Sequence, residues 1–132
     1  MDDDIRWALT ETRTWAVVGC SPDPDRDSHR IAALLQRQGL KVIPVNPQAA
    51  GETILGETAV AALDEIDEPV DVVDVFRRSE LAGAHVDEAI AIGAKAVWLQ
   101  LDVIDEAAAQ RAREAGLDVV MDRCPAIELP RL

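Results

Sequence analysis

The stretch Trp15-Ala16-Val17-Val18-Gly19-Cys20-Ser21-Pro22-Asp23-Pro24-Asp25-Arg26-Asp27-Ser28 decides the fold. Its first residues are apolar without alternation, the pattern of a strand buried on both faces of a parallel sheet. Gly19 breaks the run, and the prolines and aspartates that follow hold the next residues in a loop. Ser28 is placed to cap a helix with Ile31, Leu34 and Leu35 as its apolar stripe and Gly39 as its C-terminal stop. An apolar run resumes at Leu40, so strand, loop, helix and second strand read as one βαβ unit.

The unit recurs along the chain. Strands are expected over residues 15–19, 40–45, 71–75, 96–100 and 118–122. Ser79 opens a helix closed by Gly93, and Asp105 opens another closed by Gly116. A shorter helix is expected from Thr58 through Val60, Ala61 and Leu63, with Pro69 marking its exit, and the Ile54-Leu55 pair reads as an added edge strand. Ahead of the first strand, Ile5, Ala8 and Leu9 fall at helical spacing behind three aspartates, an extra N-terminal helix. Right-handed crossovers then give an α/β fold, a Rossmann-like doubly wound parallel five-stranded sheet in strand order 2-1-3-4-5.

The chain has 132 residues, the length of a single domain, here read as spanning residues 1–132. A formal charge of −12 marks an acidic protein and disfavours nucleic acid and anionic lipid, whose phosphates need a basic surface. The acidic start, Met1-Asp2-Asp3-Asp4, is unlike a signal peptide, and no apolar run spans a bilayer; a cytoplasmic protein is expected. Cys20 and Cys124 lack metal-ligand spacing, and only His29 and His85 accompany them, so reduced thiols and no metal site are expected. Lys41 and Lys95 are the only lysines against eleven arginines, which favours guanidinium forks at any anion site.

Doubly wound sheets bind ligands beyond the carboxyl ends of their strands, where successive connections leave in opposite directions. That crevice lies between the first and third strands, framed by residues 20–27 and 76–78. The first loop ends at a helix N-terminus able to hold a phosphate, with Arg26 and Arg30 as countercharge unless they pair with the neighbouring aspartates. Ser21 and Pro24 stand where a G-x-G-x-x-G fingerprint needs glycine, and the second strand ends in Pro44-Val45-Asn46-Pro47 rather than in the acid that holds a ribose, which argues against a classical NAD site. The Asn46-Pro47 turn offers an exposed amide to a ligand. Phe76, Arg77 and Arg78 set an aromatic ring and two guanidinium groups at the rim, suited to adenine and phosphate. On the fourth strand Trp98 and Gln100 share one face, with Leu99 opposite; Trp98 is expected in the core and Gln100 toward a ligand. Cys20 near a helix start invites comparison with activated thiolates, but no base stands near it in sequence. His85 reads as a surface residue.

Val18-Gly19-Cys20-Ser21-Pro22, Val42-Ile43-Pro44-Val45-Asn46-Pro47, residues 70–78, residues 94–101 and Asp122-Arg123-Cys124 resemble the small stand-alone CoA-binding proteins. That family is similar to the CoA-binding domain of the succinyl-CoA synthetase α subunit. The resemblance implies coenzyme A or an acyl-CoA as ligand, held around the Gly19-Cys20-Ser21-Pro22 motif. Residues 21–26 and the helix start at Ser28, with Arg30, would hold the phosphates. Asn46, Pro47, Phe76 and Arg77 would flank the adenosine, and Leu99 and Gln100 would line the pantetheine path. The tail Ile127-Glu128-Leu129-Pro130-Arg131 departs from the family, which usually has a histidine after the glutamate. Neither His29 nor His85 stands in the context of the synthetase phosphohistidine, so no ligase activity and no catalytic residue are expected. A carrier, sensor or accessory subunit, with a protein partner or a homodimer, fits that implication. The alternatives are an NAD(P)-linked oxidoreductase and a regulatory or interaction domain whose nucleotide site has degenerated.

Overall fold

The computed structural model describes residues 2–132; Met1, the first residue of the acidic start, lies outside them. In chain order the elements are α1 (Asp2–Thr10), β1 (Thr14–Val18), α2 (Asp27–Arg37), β2 (Lys41–Val45), β3 (Thr53–Ile54), β4 (Glu57–Thr58), β5 (Val72–Val75), α3 (Ser79–Ala91), β6 (Ala96–Leu99), α4 (Glu106–Glu114), β7 (Asp118–Val120) and α5 (Pro125–Glu128). Short 3-10 turns follow β2, β4 and α5.

Five strands form one parallel sheet in the order β2-β1-β5-β6-β7. The expected order, 2-1-3-4-5, counted only five strands; the short β3 and β4 intervene in the chain and pair with each other, antiparallel, outside that sheet. Alternation along the strands sends side chains to two separate cores. Val18, Val73, Val75, Val97 and Leu99 pack with the alanines of α3 and α4. Trp15, Val17, Val72 and Trp98 pack on the opposite side with Ile5 and Leu9 of α1 and Ile31 and Leu35 of α2. The two indoles, both fully buried, meet with ring centroids 5.5 Å apart, and each finds an acceptor: Trp15 donates to Thr12 Oγ1 and Trp98 to the Arg123 carbonyl, both at 2.9 Å. Trp98 and Leu99 therefore fall on opposite faces, as the strand period requires.

Three local expectations are corrected. The helix expected from Thr58 does not form. Its backbone hydrogen bonds go to the neighbouring edge strand instead, with Val60 donating to the Pro44 carbonyl at 3.0 Å and Asn46 donating to that of Val60 at 2.9 Å, so Val60 bridges Val45 as a strand residue would. Leu63 is buried by a single 3-10 turn, Leu63–Glu65. Ile54 does not extend the main sheet but turns back on Glu57. Ser28 does not cap α2: the helix begins at Asp27, Arg26 occupies the capping position, and the Ser28 hydroxyl accepts from the Ser21 N–H at 2.9 Å. Asp105, by contrast, caps α4 as expected, accepting from Ala108 N at 3.0 Å.

Candidate functional site

The crevice begins where β1 and β5 leave the sheet side by side. Gly19 donates to the Val45 carbonyl at 2.8 Å and Phe76 to that of Val18 at 2.9 Å, which draws the exits of β1, β2 and β5 together. Gly19 adopts φ +84, and a Cβ there would lie 2.5 Å from the Phe76 carbonyl oxygen and 3.4 Å from Arg77 Cδ. Only glycine permits both that backbone and that approach.

The loop after Gly19 is tied down by its own polar groups. Asp23 N–H bonds Ser21 Oγ at 3.0 Å, Asp25 N–H bonds Asp23 Oδ1 at 2.9 Å, and His29 Nδ1 lies 2.9 Å from the Ser21 carbonyl oxygen. Asn46 holds the loop from the other side: its Nδ2 donates to the Cys20 carbonyl at 3.0 Å and its Oδ1 accepts from Gln48 N at 3.0 Å. The amide expected to be exposed to a ligand is thus spent on loop geometry at both ends. Arg30 is spent too, pairing with Asp27 and donating to the Asp25 carbonyl at 2.6 Å. The side chains of Arg26, Arg77 and Arg78 have no hydrogen-bond or ion-pair partner among the described residues, and no side chain caps the α2 N-terminus, which leaves its first N–H groups without a side-chain acceptor beside Arg26.

Three clefts open along this edge. The first, about 680 Å³, has apolar walls from Ile31 and Leu34 of α2 and from Leu101 and Val103, with Gln100 and Cys124 also on its surface. The second, about 560 Å³, lies between the turn at Asn46 and Pro47, Leu63 and Arg77. The third, about 550 Å³, is formed by Ser21, Arg26, Ser28 and Arg30 at the α2 start. Phe76 borders all three; Gly19 borders the last two and Arg77 the first two. The clefts are one branched crevice around a phenyl ring.

Of the residues singled out from the sequence, Gly19, Ser21, Arg26, Ser28, Arg30, Asn46, Pro47, Phe76, Arg77 and Gln100 come together on these walls. Three do not. Leu99 is fully buried in the core under α3 and α4, so its side chain faces away from the crevice. Pro22 stands exposed on the outside of its loop, and Cys20 is fully buried in the core under α2. Burial, and secondarily the charge of Asp74, push the Cys20 thiol up to about 11, the opposite of an activated thiolate. His85 is half-buried, borders the second cleft and bonds Glu88 Oε1 at 2.7 Å.

The sequence reading missed the apolar wall of the first cleft, whose Leu101 is 49% exposed, and it missed Asp74. Asp74 is fully buried, and burial drives its carboxyl well above the usual carboxylate range. With its amide nitrogen turned inward, Gln100 meets Asp74 at 2.7 Å (Oδ1) and 3.2 Å (Oδ2). A single acid inside Val72-Val73-Asp74-Val75 was the available signal.

Residues 13–130 match the family model described as "CoA binding domain". The chain belongs to this CoA binding domain family. Among relatives of the CoA binding domain described here, the uncharacterized protein YneT of Bacillus subtilis is 40% identical over 121 residues, 92% of this chain and 88% of that protein. A Thermus thermophilus structure, cell-free ID.343, is 40% identical with a TM-score of 0.92, covering 99% of this chain and 98% of that one. At 18% identity the fold alone is shared with RSP, a Rex-family repressor solved in complex with beta-NADH, with a TM-score of 0.60 over 91% of this chain and 57% of that one. Among the described residues of the CoA binding domain no helix is long and apolar enough to cross a membrane.

Proposed function

We propose that the chain binds coenzyme A or an acyl-CoA along the branched crevice, as a Rossmann-like binding protein that performs no chemistry by itself. The observation that carries this reading is the meeting of three chemically different clefts at Phe76 in a chain of this family. CoA has three matching parts. The adenosine fits the cleft at Asn46 and Pro47, with Phe76 and the Arg77 guanidinium as its stacking partners. The phosphates suit the uncapped N–H groups of α2 together with Arg26, an anion site made of a helix dipole and an uncommitted guanidinium. The pantetheine arm, and the acyl group of a thioester, suit the apolar cleft along Ile31, Leu34 and Leu101, with Gln100 as a polar contact.

A binding role without catalysis is supported by the thiol of Cys20, which burial holds protonated, and by the histidines. His29 is engaged with the loop carbonyl of Ser21 and His85 with Glu88. A carrier, a sensor or an accessory subunit in the cytoplasm uses such a module. A second reading, a regulatory domain responding to a nicotinamide nucleotide, draws on the fold shared with the NADH-bound repressor.

Calorimetric titration with CoA, and in parallel with NADH, tests both. CoA is expected to bind. Arg26→Ala and Arg77→Ala should each weaken it by roughly tenfold or more, the loss of one charge-assisted hydrogen bond. Arg30→Ala should cost less, since that side chain is already paired with Asp27. Absence of heat with CoA refutes the reading, and saturation by NADH without CoA binding establishes the second one.

A further inference from the structure

Asp74 has no place in the reading above, yet it is a fully buried acid directly beneath the crevice. In register it lies between Val17 of β1 and Trp98 of β6, so the strand period puts its side chain on the α1 and α2 side of the sheet. The elements covering that side bring Ile5, Leu9, Ile31 and Leu35, all apolar. The thiols of Cys20 and Cys124 belong to that core, the buried Glu128 of α5 lies on the same side paired with Arg131, and no cation is paired with Asp74 among the described residues. Its polar contact is the amide of Gln100, which is itself buried but borders the apolar cleft.

An amide has an acceptor end and a donor end, and only one of them can face Asp74. A carboxylate, acceptor-only, requires the Gln100 Nε2 at the 2.7 Å position and leaves Oε1 toward the cleft. A carboxylic acid can donate its O–H to Oε1, and 2.7 Å is the usual O–H···O separation; Nε2 then faces the cleft.

We propose that Asp74 is the positioning residue of the crevice: its carboxyl, by donating to or accepting from the Gln100 amide, sets whether the ligand meets an N–H donor or a carbonyl acceptor at that wall. The inference rests on the CoA reading for the identity of the ligand, whose pantetheine arm carries secondary amides able to use either end. The arrangement with Nε2 toward Asp74 satisfies both ends of the Gln100 amide and turns Oε1 outward, while burial, which favours the neutral acid, pulls toward the reverse; the proton on Asp74 decides between them.

The experiment follows the Gln100 side-chain NH2 resonances of the 15N-labelled protein, assigned with Gln100→Leu, between about pH 5 and pH 9, the range reached by buried carboxyls. The same series measures CoA affinity for the wild type and for Asp74→Asn, whose side chain has no proton to lose in this range. The expected result is a Gln100 transition in the wild type at a midpoint above that of exposed carboxylates. Wild-type affinity should change about tenfold across the same midpoint, as for one buried hydrogen bond. Asp74→Asn should show neither change. A Gln100 signal that is flat in the wild type overturns the proposal, and so does a transition that leaves CoA affinity unchanged. Failure of CoA to bind at any pH overturns the CoA reading instead; the Gln100 transition, recorded without ligand in unsubstituted protein, still decides whether Asp74 orients the amide.

Discussion

Replacing Gly19 by alanine sets two separable effects against the fold. The first is conformational: at φ +84 an L residue pays about 1–2 kcal/mol for the left-handed region. The second is contact: the new methyl would lie 2.5 Å from the Phe76 carbonyl oxygen, a backbone atom that cannot swing aside, and such crowding costs about 1–3 kcal/mol. Together they come to roughly 2–5 kcal/mol, which for a chain of this size lowers Tm by roughly 7–18 °C. Gly39 supplies the control. It has φ +91 and nothing within 4 Å of its would-be Cβ, so Gly39→Ala carries the conformational cost alone, about 1–2 kcal/mol. Urea unfolding of both variants, followed by circular dichroism, measures the difference. CoA titration well below Tm should show weakened binding for Gly19→Ala only, because the Phe76 carbonyl must move and Phe76 borders all three clefts. Equal destabilisation of the two variants would refute the close approach of the β1 and β5 exits on which the crevice depends.

Two further outcomes follow from the buried groups. Asp74 has its carboxyl pKa raised in the folded protein, so the folded state holds a proton that the unfolded chain releases. The stability it contributes is complete below the ordinary value of 3.8 and is lost as pH rises toward the folded value, at up to about 1.4 kcal/mol per pH unit. Denaturant unfolding of the wild type against Asp74→Asn should show that difference growing with pH and then levelling; a pH-independent difference would contradict the burial of an uncompensated acid. Iodoacetamide near about pH 8 should label Cys124, which borders the first cleft, well before Cys20, whose thiol is buried and raised to about 11. Peptide mass spectrometry reads the order, and CoA should protect Cys124; prior labelling of Cys20 would reverse the assignment.

The parallel sheet and its crevice were legible in the amino-acid sequence because their signals are local. Continuous apolar runs such as Trp15 to Val18, stop glycines such as Gly39 and caps such as Asp105 act within a turn or two of chain, and parallel pairing through right-handed crossovers leaves few ways to arrange the rest. The same locality explains why the wall of the third cleft was legible: a loop ending at a helix start is visible as Pro24 to Ser28 without knowing what packs on it. Residues 58–65 were misread for the complementary reason. Their apolar spacing suits a helix, but the open edge of β2 offers Val60 two backbone hydrogen bonds, and only the tertiary structure brings that edge within reach. The fates of polar side chains were decided in the same way. Nothing in the sequence says that Asn46 is spent on the Cys20 carbonyl, that Ser28 receives Ser21 rather than its own helix, or that Asp74 lies against Gln100, since each partner is remote or turned by the loop between. The sequence by itself determined the order of the five parallel strands, the helices α1 to α4 around them and the edge at which the crevice opens. The tertiary structure decided which polar groups along that crevice remain free, because hydrogen-bond satisfaction in a packed interior depends on neighbours that the chain brings together only by folding.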